Sequence, residues 1–155
     1  MSAPQWLSSE EQRAWRSYIE STKVLFDALD RQLQRDADMP HAYYEILVRL
    51  SEADDRSLRM SELADRTLSS RSRLSHAVAR LEERGWVVRE DCATDRRGQI
   101  ARLTDAGFAT LAAAAPGHVS AVREILIDPL TAEQLDQLTA IGETILERTR
   151  GSDAN

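Results

Sequence analysis

The stretch Leu58–Leu103, LRMSELADRTLSSRSRLSHAVARLEERGWVVREDCATDRRGQIARL, decides the fold. It opens with a short apolar run (Leu58–Met60) and a short helix starting at Ser61. A polar break follows at Leu68-Ser69-Ser70, then a second helix, Arg71–Arg84, stopped by Gly85. Two β-like runs close it, Trp86–Glu90 and Gln99–Leu103, separated by eight residues that include Asp95-Arg96-Arg97-Gly98. The first run is rich in β-branched and aromatic residues and the second alternates polar with apolar, as hairpin strands do.

The faces of the second helix carry the functional reading. At about 100° per residue, Leu74, Ala77, Val78 and Leu81 fall on one side, the buried one. Ser72, Ser75, His76 and Ala79 fall opposite, flanked by Arg73 and Arg80, and acids appear only at Glu82 and Glu83. Ser70 is placed to cap the helix, with Arg71 in the first turn. Short hydroxyls and cationic donors on the early turns of a helix suit base edges and phosphates in a major groove. An ordinary solvated amphipathic helix would show a similar pattern. The hairpin beyond it argues against that reading, because a projecting loop with paired arginines suits a narrow, electronegative minor groove.

Helix, tight turn, helix, hairpin is the order of a winged helix-turn-helix. The predicted fold class is therefore mainly α with a small β-hairpin wing, flanked by N- and C-terminal dimerisation helices. The DNA-contacting candidates are Ser70, Arg71, Ser72, Arg73, Ser75, His76, Arg80, Asp95, Arg96 and Arg97.

Several segments also resemble a known family. Met60-Ser61-Glu62-Leu63-Ala64-Asp65-Arg66, Ser70-Arg71-Ser72, Leu81-Glu82-Glu83-Arg84-Gly85 and Asp95-Arg96-Arg97-Gly98…Leu103-Thr104-Asp105-Ala106-Gly107 look like the multiple-antibiotic-resistance regulator (MarR) family of bacterial repressors. The resemblance follows the element order of nearly the whole chain and is most specific from the wing into the next helix. It implies a homodimer on a palindromic operator in double-stranded DNA, with an effector pocket between the DNA-binding and dimerisation parts. It also implies that Asp95 orients Arg97, the arginine entering the minor groove.

Outside this centre, Ser8 and Ser9 precede Glu11 and Gln12 at capping-box spacing, so a long helix should run to about Arg35. Its stripe includes Trp15, Tyr18, Ile19, Leu25, Phe26, Leu29 and Leu33. Pro40 restarts a helix where proline is tolerated. Beyond the wing, Thr104 should cap another helix, with a kink or short break near Ala112–Pro116 because proline removes a hydrogen bond and crowds the preceding turn. Thr131…Gln134 opens a last helix with Leu135, Leu138, Ile141 and Ile145 inward. We read residues 1–155 as a single domain, with 40–103 the DNA-binding part and 5–35 and 104–150 the dimerisation part. The outer helices carry more apolar surface than one thin layer hides, which favours pairing with a second copy.

Charge is compatible with this reading. The chain's formal net charge is −6, yet Arg59–Thr104 holds ten arginines against seven acids, a local +3 that leaves −9 elsewhere. A basic centre in an acidic chain suits local phosphate contact. A lone cysteine, Cys92, excludes an intramolecular disulfide framework and fits a reducing cytoplasm. No run approaches the roughly 20 apolar residues of a membrane span, and Met1–Trp6 lacks the basic-then-apolar pattern of a signal peptide. His41, His76 and His118 lie on three different helices without metal-ligand spacing, with His118 read as a helix-surface residue. No nucleophile elbow, phosphate loop or dinucleotide fingerprint is present. Neither an enzyme, a cofactor nor a metal is therefore expected.

Two rival functions have residues behind them. Cys92, near Arg89 and Arg96, would make the protein redox-responsive if those arginines lowered its pKa, although the adjacent acids Glu90 and Asp91 oppose that. A winged-helix interaction module without DNA binding would share the same pattern. For a small aromatic effector, Trp15, Tyr18, His41, Tyr43 and Tyr44 are the candidates by residue type.

Overall fold

The computed structural model describes residues 4–152, with the side chains of Arg96, Gly151 and Ser152 outside that description. Among the described residues six α-helices and three short strands follow in the order α1 (Ser9–Ala37), α2 (His41–Ser51), β1 (Ser57–Arg59), α3 (Met60–Arg66), α4 (Arg71–Glu83), β2 (Val87–Cys92), β3 (Asp95–Leu103), α5 (Asp105–Val122) and α6 (Ala132–Ser152). The strands form one antiparallel sheet in the order β1-β3-β2. Contacts divide the chain into two compact units at His118/Val119.

Local chemistry accounts for the boundaries. Ser8 Oγ accepts from Glu11 N–H while the Glu11 carboxylate accepts from Ser8 N–H, closing the capping box that starts α1. At the other end of α1, Asp38 turns left-handed, and Asp38 N–H and Met39 N–H donate to Gln34 and Leu33 carbonyls. Helix α4 begins at Ser70, whose hydroxyl accepts from Arg73 N–H. It ends at Gly85, where φ is +74°; Gly85 N–H reaches Glu82 O and Trp86 N–H reaches Leu81 O, a Schellman stop.

The first unit's core is assembled from every one of its elements. Leu33, Leu47, Leu50, Leu63, Leu74, Val78, Leu81, Val87 and Ala101 are all buried. Leu74, Val78 and Leu81 are the stripe expected of α4, and burying each such side chain stabilises by about 1.5–3 kcal/mol. Thr104 joins wing to α5: its N–H donates to Trp86 O, its hydroxyl donates to Gly85 O, and Gly107 N–H donates back to that hydroxyl.

Four expectations change. Ser57–Arg59 is a third strand, paired with Arg102–Ile100 of β3; three residues are too few to show a period. The wing's eight-residue loop shrinks to a turn at Ala93-Thr94, because Cys92 pairs with Asp95 while Asp91 pairs with Gln99. Arg96, Arg97 and Gly98 therefore have no opposite number and form a bulge within β3. Helix α5 runs unbroken through Pro116, and the irregularity falls instead at a π-helical segment, Arg123–Ile127. Finally, Leu138, Ile141 and Ile145 are exposed on α6 instead of inward.

Candidate nucleic-acid interface

Helix α4 presents its outer face as the residue pattern requires. Arg71, Ser72, Arg73, His76 and Arg80 are exposed, and Ser70 is the cap at the N-terminus. Among the described residues no ion pair engages Arg71 or Arg73, whereas Arg80 pairs with Glu83 at 2.9 Å, both side chains in solvent. An exposed pair of that kind is worth little and exchanges readily for a phosphate.

Ser75 departs from the expectation. It is half-buried, and its hydroxyl accepts from Arg89 Nη1 on β2 at 3.3 Å. It therefore faces the wing more than open solvent.

Across from α4 stands the wing. A cleft of about 450 Å³ separates them, lined by Arg59, Arg71, Ser75, Asp95, Arg97 and Gln99 among others. Asp95 Oδ1 accepts from the backbone N–H of Arg97 at 3.0 Å. The aspartate thus positions Arg97 through the main chain, not through its guanidinium, which is exposed. The Arg96 side chain lies outside the described residues. Arg59 Nη2 donates to Thr94 Oγ1 at 3.2 Å, linking the start of α3 to the wing tip. Guanidinium groups on both walls, with the Asp95 carboxylate the one acid among the lining residues, are chemistry suited to anionic groups.

Cys92 sits at the base of the bulge, nearly buried, with Sγ 3.3 Å from Thr94 Oγ1. That hydrogen bond, aided by Thr94's backbone and the charge of Arg59, pulls the thiol below its ordinary pKa.

The effector candidates are not gathered into one place. Trp15 and Tyr18 lie exposed on α1. Tyr43 lies 5.8 Å beneath the Arg84 guanidinium, which also stacks on Trp86. Tyr44 is buried, with its ring 4.4 Å from that of His118. His41 stands between Phe26 (5.4 Å, edge-on) and His118 (5.5 Å). Neither the cleft beside α4 nor the shallow grooves along α1 is lined by His41, Tyr43 or Tyr44.

His118 corrects an expectation too. Read as a surface residue, it is buried, and its Nδ1 is 3.1 Å from Gln32 Oε1. Burial, and secondarily the nearby His41, hold its pKa below the usual value. Among the described residues no cluster of three or more His, Cys, Asp or Glu side chains is arranged to hold a metal, and no helix is long and apolar enough to cross a membrane.

A capped, cationic helix lying beside a bulged hairpin, both anchored on one small core, defines a winged helix-turn-helix protein. The chain belongs to the MarR family of transcriptional regulators. The family's sequence model matches residues 37–98. Over 93% of its length the chain superimposes on Sco3205 of Streptomyces coelicolor, a MarR family transcriptional regulator crystallised in complex with DNA. The identity is 58%, the TM-score 0.91, and 91% of Sco3205 is covered. AbsC, a second MarR family regulator from the same organism, is 42% identical with a TM-score of 0.90, over 96% of this chain and 99% of AbsC. The transcriptional repressor MprA of Escherichia coli (strain K12) is 30% identical over 102 residues, 66% of this chain; the match spans 57% of MprA's length.

Proposed function

We propose that the protein is a homodimeric repressor that binds an inverted-repeat operator in double-stranded DNA and is released by a small-molecule effector. The observation that carries the reading is the row of exposed donors on α4, Arg71, Ser72, Arg73 and His76, facing outward beside Arg97 on the wing. Helix α4 enters the major groove, where Arg and His donors reach base edges and phosphates. Arg96 and Arg97 work in the adjacent minor groove or on its phosphates, with Asp95 holding Arg97 in position. Residues 40–103 form the DNA-binding part. Similarity to a regulator crystallised with DNA supports this assignment, and similarity to a named repressor supports the sign of regulation.

Residues 5–35 and 104–150 form the dimerisation part. Their support is exposed apolar surface: Trp6, Trp15, Val24 and Phe26 near and on α1, and Leu138, Ile141 and Ile145 along one face of α6. Exposure of so many large apolar groups on one chain favours burial against a second copy. Two copies then read half-sites about one helical turn, roughly 34 Å, apart. A small aromatic effector acts by binding better to a dimer whose reading heads are misplaced; His41 and Tyr44, within the Phe26–His118 aromatic group, are the candidates best placed to feel it.

Selection of binding sites from random duplex DNA by the purified chain tests the proposal. Recovery of an inverted repeat, bound by a particle of twice the chain's mass, is expected. Recovery of no sequence preference sinks it.

A further inference from the structure

Helix and wing touch DNA in different grooves, so their mutual angle decides whether both contacts form on one site. Three hydrogen bonds fix that angle. Glu82 Oε1 accepts from the backbone N–H of Arg89 at 2.9 Å, Glu82 Oε2 from Arg89 Nε at 2.8 Å, and Ser75 Oγ from Arg89 Nη1 at 3.3 Å. We propose that Glu82 and Arg89 are positioning residues that lock the wing to the recognition helix and so set sequence discrimination without touching a base.

The geometry has a simple origin. Ser75 and Glu82 are seven residues apart, two turns of helix, and so lie on one stripe of α4. That stripe faces β2, an edge strand of the sheet. An edge strand leaves every second N–H unpaired; at Arg89 the carboxylate from α4 takes it. One side chain therefore fills a vacant sheet donor and holds the guanidinium that reaches back to Ser75. The bond network spans two turns of α4, which resists rotation as well as separation.

Burial separates this lock from the wing's other attachment. The Arg89 and Glu82 side chains are 24% and 31% exposed, poorly placed for screening by salt. Arg59, which holds Thr94 at the wing tip, is exposed. Charge-assisted bonds in partial burial are the stronger kind, whereas exposed contacts contribute little. The base of the wing is thus the fixed end and the tip the adjustable one. Truncating Arg89 leaves Glu82 only the backbone N–H as a partner, so a partly buried carboxylate loses its charged donor.

This inference rests on the DNA-binding function proposed above. The test uses the full chain and an operator selected with the unaltered protein. Affinity for that operator is compared with affinity for random duplex of equal length, and the operator is footprinted in both grooves. For Arg89→Ala the specific-to-random ratio should fall roughly tenfold. Minor-groove protection flanking the site should be lost while major-groove protection persists. Arg89→Lys should recover part of the ratio, and Glu82→Gln, which keeps an acceptor for the backbone N–H and is the variant surest to fold, should lower it in the same direction. An unchanged ratio and footprint in a protein that selects an operator overturns the lock alone. So does loss of both grooves' protection in proportion to the folded fraction. Failure of the unaltered chain to select any site overturns the function, and the lock with it.

Discussion

The first turn of α5 lies against the carbonyl of Trp86 so tightly that Gly107 has no room for a side chain. A Cβ built there would overlap Trp86 O and crowd a methyl of Leu103. The wing's first residue, its last strand and the helix leading away from it thus meet at one atom-sized gap, beside the Thr104 hydrogen bonds to Gly85 and Trp86.

Gly107→Ala should therefore be destabilising in a way that a helical alanine ordinarily is not. Intrinsic propensity alone would favour alanine by about 1 kcal/mol, but a backbone oxygen does not move aside as a flexible side chain does. A net loss of about 1–3 kcal/mol is expected from overpacking. Urea unfolding at fixed protein concentration measures it; a variant as stable as the parent would show that α5 docks differently.

Arg97→Ala should weaken operator binding while leaving the particle's mass unchanged. If the guanidinium neutralises one phosphate, the slope of log affinity against log salt should flatten by about 0.9. An equal slope and affinity at matched salt would remove the wing from the interface. Arg71→Ala, across the same cleft, should behave alike.

Ile141→Glu should split the proposed dimer. Leu138, Ile141 and Ile145 lie on one stripe of α6 and Ile141 is 54% exposed on a single chain, so a carboxylate there costs little in the monomer and much in an apolar interface. Light scattering should give the single-chain mass at micromolar concentration, with binding to a full inverted repeat reduced more than tenfold relative to a half-site. A dimer of unchanged strength would place the interface elsewhere.

Stability should decline in mild acid through His118. Burial first, and His41 second, hold its pKa below the ordinary 6.5. Between the folded value and 6.5 the unfolded chain binds more protons than the folded one, so stability rises with pH. This contribution is whole above about pH 6.5 and is lost as pH falls through the folded value. Asp36 acts in a separate, lower window: hydrogen bonds from Gln32 and Arg35 hold its carboxyl below 3.8, so its contribution disappears only beneath that pH. The urea midpoint should drop between pH 7.5 and 5.5, and His118→Gln should flatten that drop. Parallel profiles for the two proteins would refute the assignment.

Much of the reading head was legible along the chain because its determinants are local. Apolar spacing in α4 announces Leu74, Val78 and Leu81 as core, Ser70 caps the helix with its own hydroxyl, and Gly85 ends it with its own φ. The same locality exposes Arg71, Ser72, Arg73 and His76 as the outer face, since whichever side carries no apolar residue must look outward. Thr104 announces α5 for the same reason.

What only the tertiary structure decided involves partners far apart in sequence or strands too short to carry a period. β1 exists because β3 offers it a free edge. The wing tip tightens because Cys92 pairs with Asp95, a register that no alternation over five residues specifies. His118 is internal because Gln32, 86 residues away, meets it, and Ser75 turns towards the wing because Arg89 reaches across to it. Periodicity reports which side of an element faces apolar matter; it carries no information on which polar group waits on the other side.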